Sequence, residues 1–117
     1  MLFEMHDILV MKDYLSAKLY FDLGDYMAYM GNNYQACIIT AQNALKDYHY
    51  TKLREDLLML VLRARYEMAR KSVAEKQPER YRETIDEFYA FKNEFPSSKY
   101  MKEAEGYFKK SLEEINE

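Results

Sequence analysis

The chain has 117 residues, enough for one domain that buries roughly 65% of the surface its unfolded form exposes, so neither a metal nor a disulfide staple is required. Its 17 basic and 20 acidic residues leave a net charge of −3, with no field of one sign to attract a nucleic-acid backbone. A single cysteine excludes an intramolecular disulfide framework, and three glycines with two prolines argue for helices over a many-turned sheet.

The opening MLFEMHDILVMKDY carries acids at Glu4, Asp7 and Asp13. It lacks a basic segment followed by a long apolar core, so it does not read as a signal peptide. The longest apolar run, LLMLVL at 57–62, is too short to span a bilayer. A first helix is expected over about 7–30, with Tyr20, Leu23, Met27 and Met30 recurring at three and four residues on its inward face. GNN at 31–33 ends it, Gly31 being free to take the left-handed cap conformation. A second helix is expected over about 34–47, with Cys37, Ile38, Ala41, Ala44 and Leu45 inward, and YHY at 48–50 as the turn. The third, about 52–74, is apolar all round at LLMLVL and reads as the central helix, covered on several sides. Pro78 fits the first turn of a fourth helix, where its missing N–H costs nothing. That helix carries Tyr81, Ile85, Phe88 and Phe91 inward and runs to about 94, with Pro96 stopping it. Ser97 or Ser98 can then accept a hydrogen bond from the free N–H groups of a fifth helix, about 99–115.

Two segments echo each other. In KDYHYTKLREDLL (46–58) and NEFPSSKYMKEAE (93–105), Asp47 answers Glu94, Tyr48 answers Phe95, Thr51 answers Ser98, Lys52 answers Lys99 and Leu53 answers Tyr100. Each pair lies 47 positions apart (94 minus 47, 95 minus 48). Tyr34 and Ile38 return as Tyr81 and Ile85 at the same interval. The expected architecture is therefore an all-α solenoid of five helices in a single helical-repeat domain over 1–117. It has two antiparallel helix hairpins, about 7–48 and 52–95, and a C-terminal capping helix at about 98–116. The fifth helix is wetter than the third, with Glu105 where Leu58 stands and Lys109 where Leu62 stands, as a cap with one solvated face should be.

Residues 17–48 follow a tetratricopeptide-like pattern: Tyr20, Leu23-Gly24, Met27, Gly31 at the break, Tyr34, and the small residues Cys37 and Ala44. The break is one residue longer than usual, and His49 stands where a closing proline is expected. The second hairpin fits only if the register slips by one, placing Tyr66, Ala69 and Val73 in the corresponding slots and Arg70 in that of Gly24. The interval exceeds the usual ~34 residues and lies in the range of HEAT-type pairs, so the tetratricopeptide reading requires elongated helices.

The segment 43–105 resembles the C-terminal half of BamD-like outer-membrane assembly lipoproteins in their Bacteroidetes form. The hinge F-P-x-S-K-Y-x-x-E-A of that family is matched by Phe95, Pro96, Ser98, Lys99, Tyr100, Glu103 and Ala104, and the joint VAEKQPERYRETIDEF at 73–88 is similar as well. The resemblance covers about residues 16–116. It implies a non-catalytic protein-binding scaffold on the periplasmic face of the outer membrane. Its expected partners are the periplasmic domains of the barrel-forming subunit or accessory lipoproteins. Membrane contact would come only through an N-terminal lipid that this chain lacks, Cys37 lying mid-helix. The chain is accordingly read as the C-terminal repeats of a longer protein. The alternative is a stand-alone tetratricopeptide adaptor that holds a peptide or chaperone tail in its concave groove.

No catalytic, cofactor-binding or metal-ligating constellation is read from the residues, and no enzyme activity is expected. Cys37 occupies a small-residue slot and reads as a packed thiol. His6 and His49 are too few and too far apart for a metal motif. Asp86-Glu87 and Glu113-Glu114 are sequence neighbours that diverge around a helix. Arg63, Arg65, Arg70 and Lys71 give the third helix a basic side, but Glu67 and Glu75 interrupt it, so no nucleic acid is expected. Counting from Ala17 as the first repeat position, the groove-facing slots fall on Lys18, Phe21, Asp25 and Tyr29, and in the shifted second unit on Glu67, Lys71 and Glu75. Phe21 and Tyr29 stand out as large apolar side chains at slots outside the core, where partner contacts concentrate. The competing reading is that the first helix packs on a preceding segment.

Overall fold

A computed structural model describes residues 5–23, 33–48 and 53–115, with side chains from residue 8 onward. The fold is all-α. The described residues form five helices and no strand: α1 (Met5–Leu23), α2 (Asn33–Asp47), α3 (Arg54–Arg70), α4 (Gln77–Glu94) and α5 (Met101–Ile115). Tertiary contacts cluster into two compact units, Met1–Val61 and Leu62–Glu117, divided within α3. Gly24, Asp25, Met27, Tyr29, Met30, Gly31, His49, Tyr50, Thr51 and Lys52, which carry part of the expected pattern, lie outside the described residues.

In the first unit α1 packs against α2. The α2 side of the core is Tyr34, Cys37, Ile38, Ala41 and Ala44, as the spacing predicts, with Leu45 half-buried. The α1 side differs from expectation. Val10 and Ala17 are fully buried, and Tyr14 and Phe21 half-buried. These four are spaced by four, three and four residues and form one helical stripe. Tyr20 and Leu23, expected inward, are 38% and 37% exposed. The cause is that α1 is apolar on opposite sides, so its periodicity alone does not select a direction. On α3, Leu57, Met59, Leu60 and Val61 are at most 2% exposed, and a helix apolar all round is covered accordingly.

In the second unit the α3 residues from Leu62, together with α4 and α5, form the core. Tyr66, Ala69 and Tyr81 cluster with Tyr107 and Ile115 against them. Phe88 stacks on Phe108 at 4.5 Å between ring centroids. α3 stops at Arg70, short of the expected 74. The Ser72 hydroxyl donates to the Met68 carbonyl at 2.5 Å, and the Ser72 N–H turns back to Ala69 O at 3.2 Å. Gln77 Nε2 covers the Arg70 carbonyl at 3.2 Å. These bonds satisfy carbonyls that a continuing helix would have engaged. Pro78 lies in the first turn of α4. α4 ends where the Phe95 N–H donates to Phe91 O at 2.8 Å, and Pro96 cannot continue the ladder. Ser98 then starts α5, its Oγ accepting from the Tyr100 N–H at 3.0 Å and its carbonyl from the Met101 N–H at 3.1 Å.

The 47-residue interval recurs in the helix ends. α2 ends at Asp47 and α4 at Glu94; α3 begins at Arg54 and α5 at Met101, so 94 minus 47 and 101 minus 54 are both 47. Burial recurs with it. From 34/81 to 47/94 the degree of exposure agrees at every pair except Ile38/Ile85 and Leu45/Lys92. The buried pairs are Tyr34/Tyr81, Cys37/Thr84, Ala41/Phe88 and Ala44/Phe91. Leu57/Ala104 and Ala64/Ser111 are likewise buried on α3 and α5. Between the latter two positions the helices part: Leu62 is fully buried, whereas its counterpart Lys109 is exposed.

Two substitutions on the second unit have opposite expected signs in urea unfolding followed by far-UV circular dichroism. Phe91 is 1% exposed, so Phe91→Ala should lower stability by about 3–5 kcal/mol. A Cβ added at Gly106 meets no atom within 4 Å, so Gly106→Ala, inside α5, should raise stability by about 0.5–1 kcal/mol. A loss at Gly106→Ala would show that the space beside α5 is occupied.

Candidate functional site

Cys37 lies within the α1–α2 core with no exposed surface. Burial, and secondarily the carboxylate of Asp22, pushes its thiol up to about 12. A thiol that stays protonated and covered is not an available nucleophile. The His6 side chain and His49 lie outside the described residues. Among the described residues no three of His, Cys, Asp and Glu converge where a metal could be held. Of the acidic neighbours, Glu87 turns to Arg65, while Asp86 is exposed. No helix among the described residues is long and apolar enough to cross a membrane.

Of the expected groove residues, Asp25 and Tyr29 lie outside the described residues. In the first unit Lys18 is exposed on α1. Phe21 sits on the stripe facing α2, its ring edge-on to Tyr34 at 5.6 Å, so it is engaged in packing. In the second unit Glu67 accepts from Arg70 Nη2 at 2.6 Å on the same helix. Lys71 and Glu75 are exposed but follow the end of α3. A groove that needs them on a continued helical face therefore loses both positions.

The arginines of α3 make the polar structure of the second unit. Arg65 donates to Glu87 at 3.0 Å and to Glu83 at 3.4 Å. Glu83 and Glu87 are four residues apart on α4, hence on one face. With Asp86 and Ala90 they line an open cleft of about 320 Å³ beside Arg65. Arg63 grips Glu103 of α5 with both arms, Nε to Oε2 at 2.7 Å and Nη2 to Oε1 at 2.9 Å. The same carboxylate accepts from the Tyr107 hydroxyl at 2.6 Å. The Arg63 guanidinium also lies 5.3 Å from the Tyr100 ring centre, a cation–π distance. Hydrogen bonding from Arg63 holds the Glu103 carboxyl below its ordinary range, and the same bond raises Arg63. Burial, then the bond to Glu103, raises the Tyr107 phenol. The basic side read on α3 is thus matched by carboxylates: Arg63 with Glu103, Arg65 with Glu83 and Glu87, Arg70 with Glu67. Sequence reading missed these partners because 18 to 40 positions separate Arg63 and Arg65 from them. The four-residue spacing of Glu83 and Glu87 was the available signal.

Large apolar side chains open to solvent concentrate on α1. Ile8, Leu9, Met11, Leu15, Leu19, Tyr20 and Leu23 are each between 37% and 59% exposed. Outside α1 the described exposed ones are Ile39, Val73 and Tyr89, one each on α2, on the α3–α4 turn and on α4. Tyr89 is backed by Phe108, edge-on at 5.3 Å.

The Arg63–Glu103 pair makes stability pH-dependent. The folded carboxyl lies below its ordinary value of 4.5, so its stabilisation is complete above that value and lost as pH falls through the folded one. Urea unfolding of the parent chain and of Glu103→Gln should therefore differ at neutral pH and converge in acid. Glu103 is 39% exposed, so the neutral-pH difference should stay below about 1 kcal/mol. A difference that grows in acid would contradict the assignment.

A scan against protein-family models matches none of them, and a comparison with curated proteins finds no match.

Proposed function

We propose that the chain is a non-catalytic protein-binding scaffold made of 47-residue helical repeats, a tetratricopeptide-like α-solenoid in which α5 serves as the cap. The observation that carries this reading is the joint recurrence of helix ends and buried positions at one interval. Repeats of this kind bury their apolar stripes against neighbours and offer long faces to partners. The wetter surface of α5, with Lys109 exposed where α3 buries Leu62, supports its role as a cap. α1 lends the tetratricopeptide register no support, because Tyr20 and Leu23 are more than a third exposed.

The FPSSKYMKEAE joint, through its resemblance to BamD-like lipoproteins, extends the proposal to a place and a partner class. The place is the periplasmic face of the outer membrane. The partners are the periplasmic domains of a barrel-forming subunit, or accessory lipoproteins. The rival reading, an adaptor clamping a peptide or chaperone tail, calls for a groove basic enough to hold a carboxylate, whereas the groove slots mix acid and base.

Affinity capture on the immobilised chain from detergent-solubilised outer membranes of the source organism tests the assignment. Enrichment of a barrel-assembly subunit or an accessory lipoprotein is the expected result. Enrichment of soluble chaperones alone would favour the adaptor, and capture of no outer-membrane protein would contradict the assembly role.

A further inference from the structure

We propose that the outward face of α1 is the docking surface for a second copy of this chain, the two α1 helices packing antiparallel through Ile8, Met11, Leu15, Leu19 and Leu23. The inference does not rest on the scaffold reading. It starts from a helix that is apolar on two sides. Val10, Tyr14, Ala17 and Phe21 form the stripe turned to α2. Ile8, Met11, Leu15 and Leu19 recur at three, four and four residues on the opposite side, where the α1–α2 packing makes no use of them. Together with Leu9, Tyr20 and Leu23 they leave on the order of 500 Å² of apolar surface open, at the upper end for a soluble monomer.

The area and the spacing point to a second copy. Pairing two such faces buries roughly 1,000 Å², the threshold for a specific interface. Ile8 and Met11 lie seven and four residues before Leu15, and Leu19 and Leu23 four and eight after it. A stripe so nearly symmetric about its centre is self-complementary under a two-fold axis. An antiparallel copy centred on Leu15 sets Leu15 against Leu15 and Met11 against Leu19. The charges on the same side are of both signs, Lys12 three residues before Leu15 and Lys18 and Asp22 three and seven after it, which gives no strong complement to a highly charged partner. The lysine stems can lie along the apolar stripe with their ammonium groups in water.

Sedimentation equilibrium on the intact chain from about 1 to 200 μM brackets the micromolar association expected of an interface near the size threshold. The expected result is a mass that climbs from 14.1 kDa toward twice that value with concentration. The double substitution Leu15→Glu with Leu19→Glu should weaken association by at least roughly tenfold, with helix content kept because both side chains are more than half exposed. Should that variant lose helix content, Ile8→Glu, also more than half exposed, should give the same shift. Ile39→Glu, on the exposed side of α2, should leave the equilibrium unchanged. A mass fixed at 14.1 kDa overturns the proposal, and co-flotation of that monomer with phosphatidylcholine–phosphatidylglycerol vesicles would assign the face to a lipid surface. A dimer indifferent to the α1 substitutions, or equally weakened by Ile39→Glu, overturns it as well.

Discussion

Burial of one narrow stripe on α2, and of the equivalent stripe on α4, is the constraint that orders the rest of the molecule. Two of the slots keep their size from one copy to the next. Position 37/84 holds a thiol in one helix and a hydroxyl in the other, both fully buried. Thr84 bears that burial because its Oγ1 bonds back to Arg80 O at 3.1 Å. Position 64/111 is Ala on α3 and Ser on α5, both fully buried, and the Ser111 hydroxyl finds no hydrogen-bond partner among the described residues. Alanine and serine differ by one atom, so the slot keeps nearly the same volume in both copies. Positions 41/88 and 44/91 run the other way, alanine on α2 and phenylalanine on α4, with Phe108 stacked on Phe88. The pattern of inside and outside is kept while the filling changes.

Polar groups do a different job. In the second unit the α3 arginines reach to α4 and α5, Arg65 to one and Arg63 to the other. The two arms of Arg63 require Glu103 in one orientation, and Tyr107 holds the same carboxylate. Such pairs at partly exposed sites add little net stability, but their geometry is directional. They add a directional contact between α5 and this part of α3 beside the packing of Tyr66 on Tyr107. A helix with its charges matched in this way also presents less free positive potential than its sequence advertises.

Much of this was legible in the sequence, in proportion to how one-sided each helix is. α2 and α4 have apolar residues on one side and polar ones on the other, so Cys37, Ile38, Ala41, Ala44, Tyr81, Phe88 and Phe91 could be placed inward from spacing alone. Pro78, Pro96 and Ser98 marked helix boundaries through backbone chemistry that neighbours do not override. α1 misled because apolar residues occupy both of its sides, and Tyr20 with Leu23 fit an inward stripe as well as Val10 with Ala17 did. The end of α3 was misplaced because residues 71–74 contain no glycine or proline. At the stop the Ser72 hydroxyl bonds locally to Met68 O, and the Gln77 side chain covers Arg70 O, the second being a bond that exists only once the chain turns into α4. The groove slots inherited both errors: Phe21 from the register of α1, Lys71 and Glu75 from the length of α3.

The equivalence of the two 47-residue segments is most directly tested by thiol labelling of single cysteines placed at matched positions in a Cys37→Ala background. The account predicts matched rates within each pair: slow at 64 and 111, as slow at Thr84→Cys as at the native Cys37, and fast at 42 and 89. Pairs that label at unrelated rates, with 64 protected and 111 open for instance, would contradict the repeat and with it the scaffold built on it.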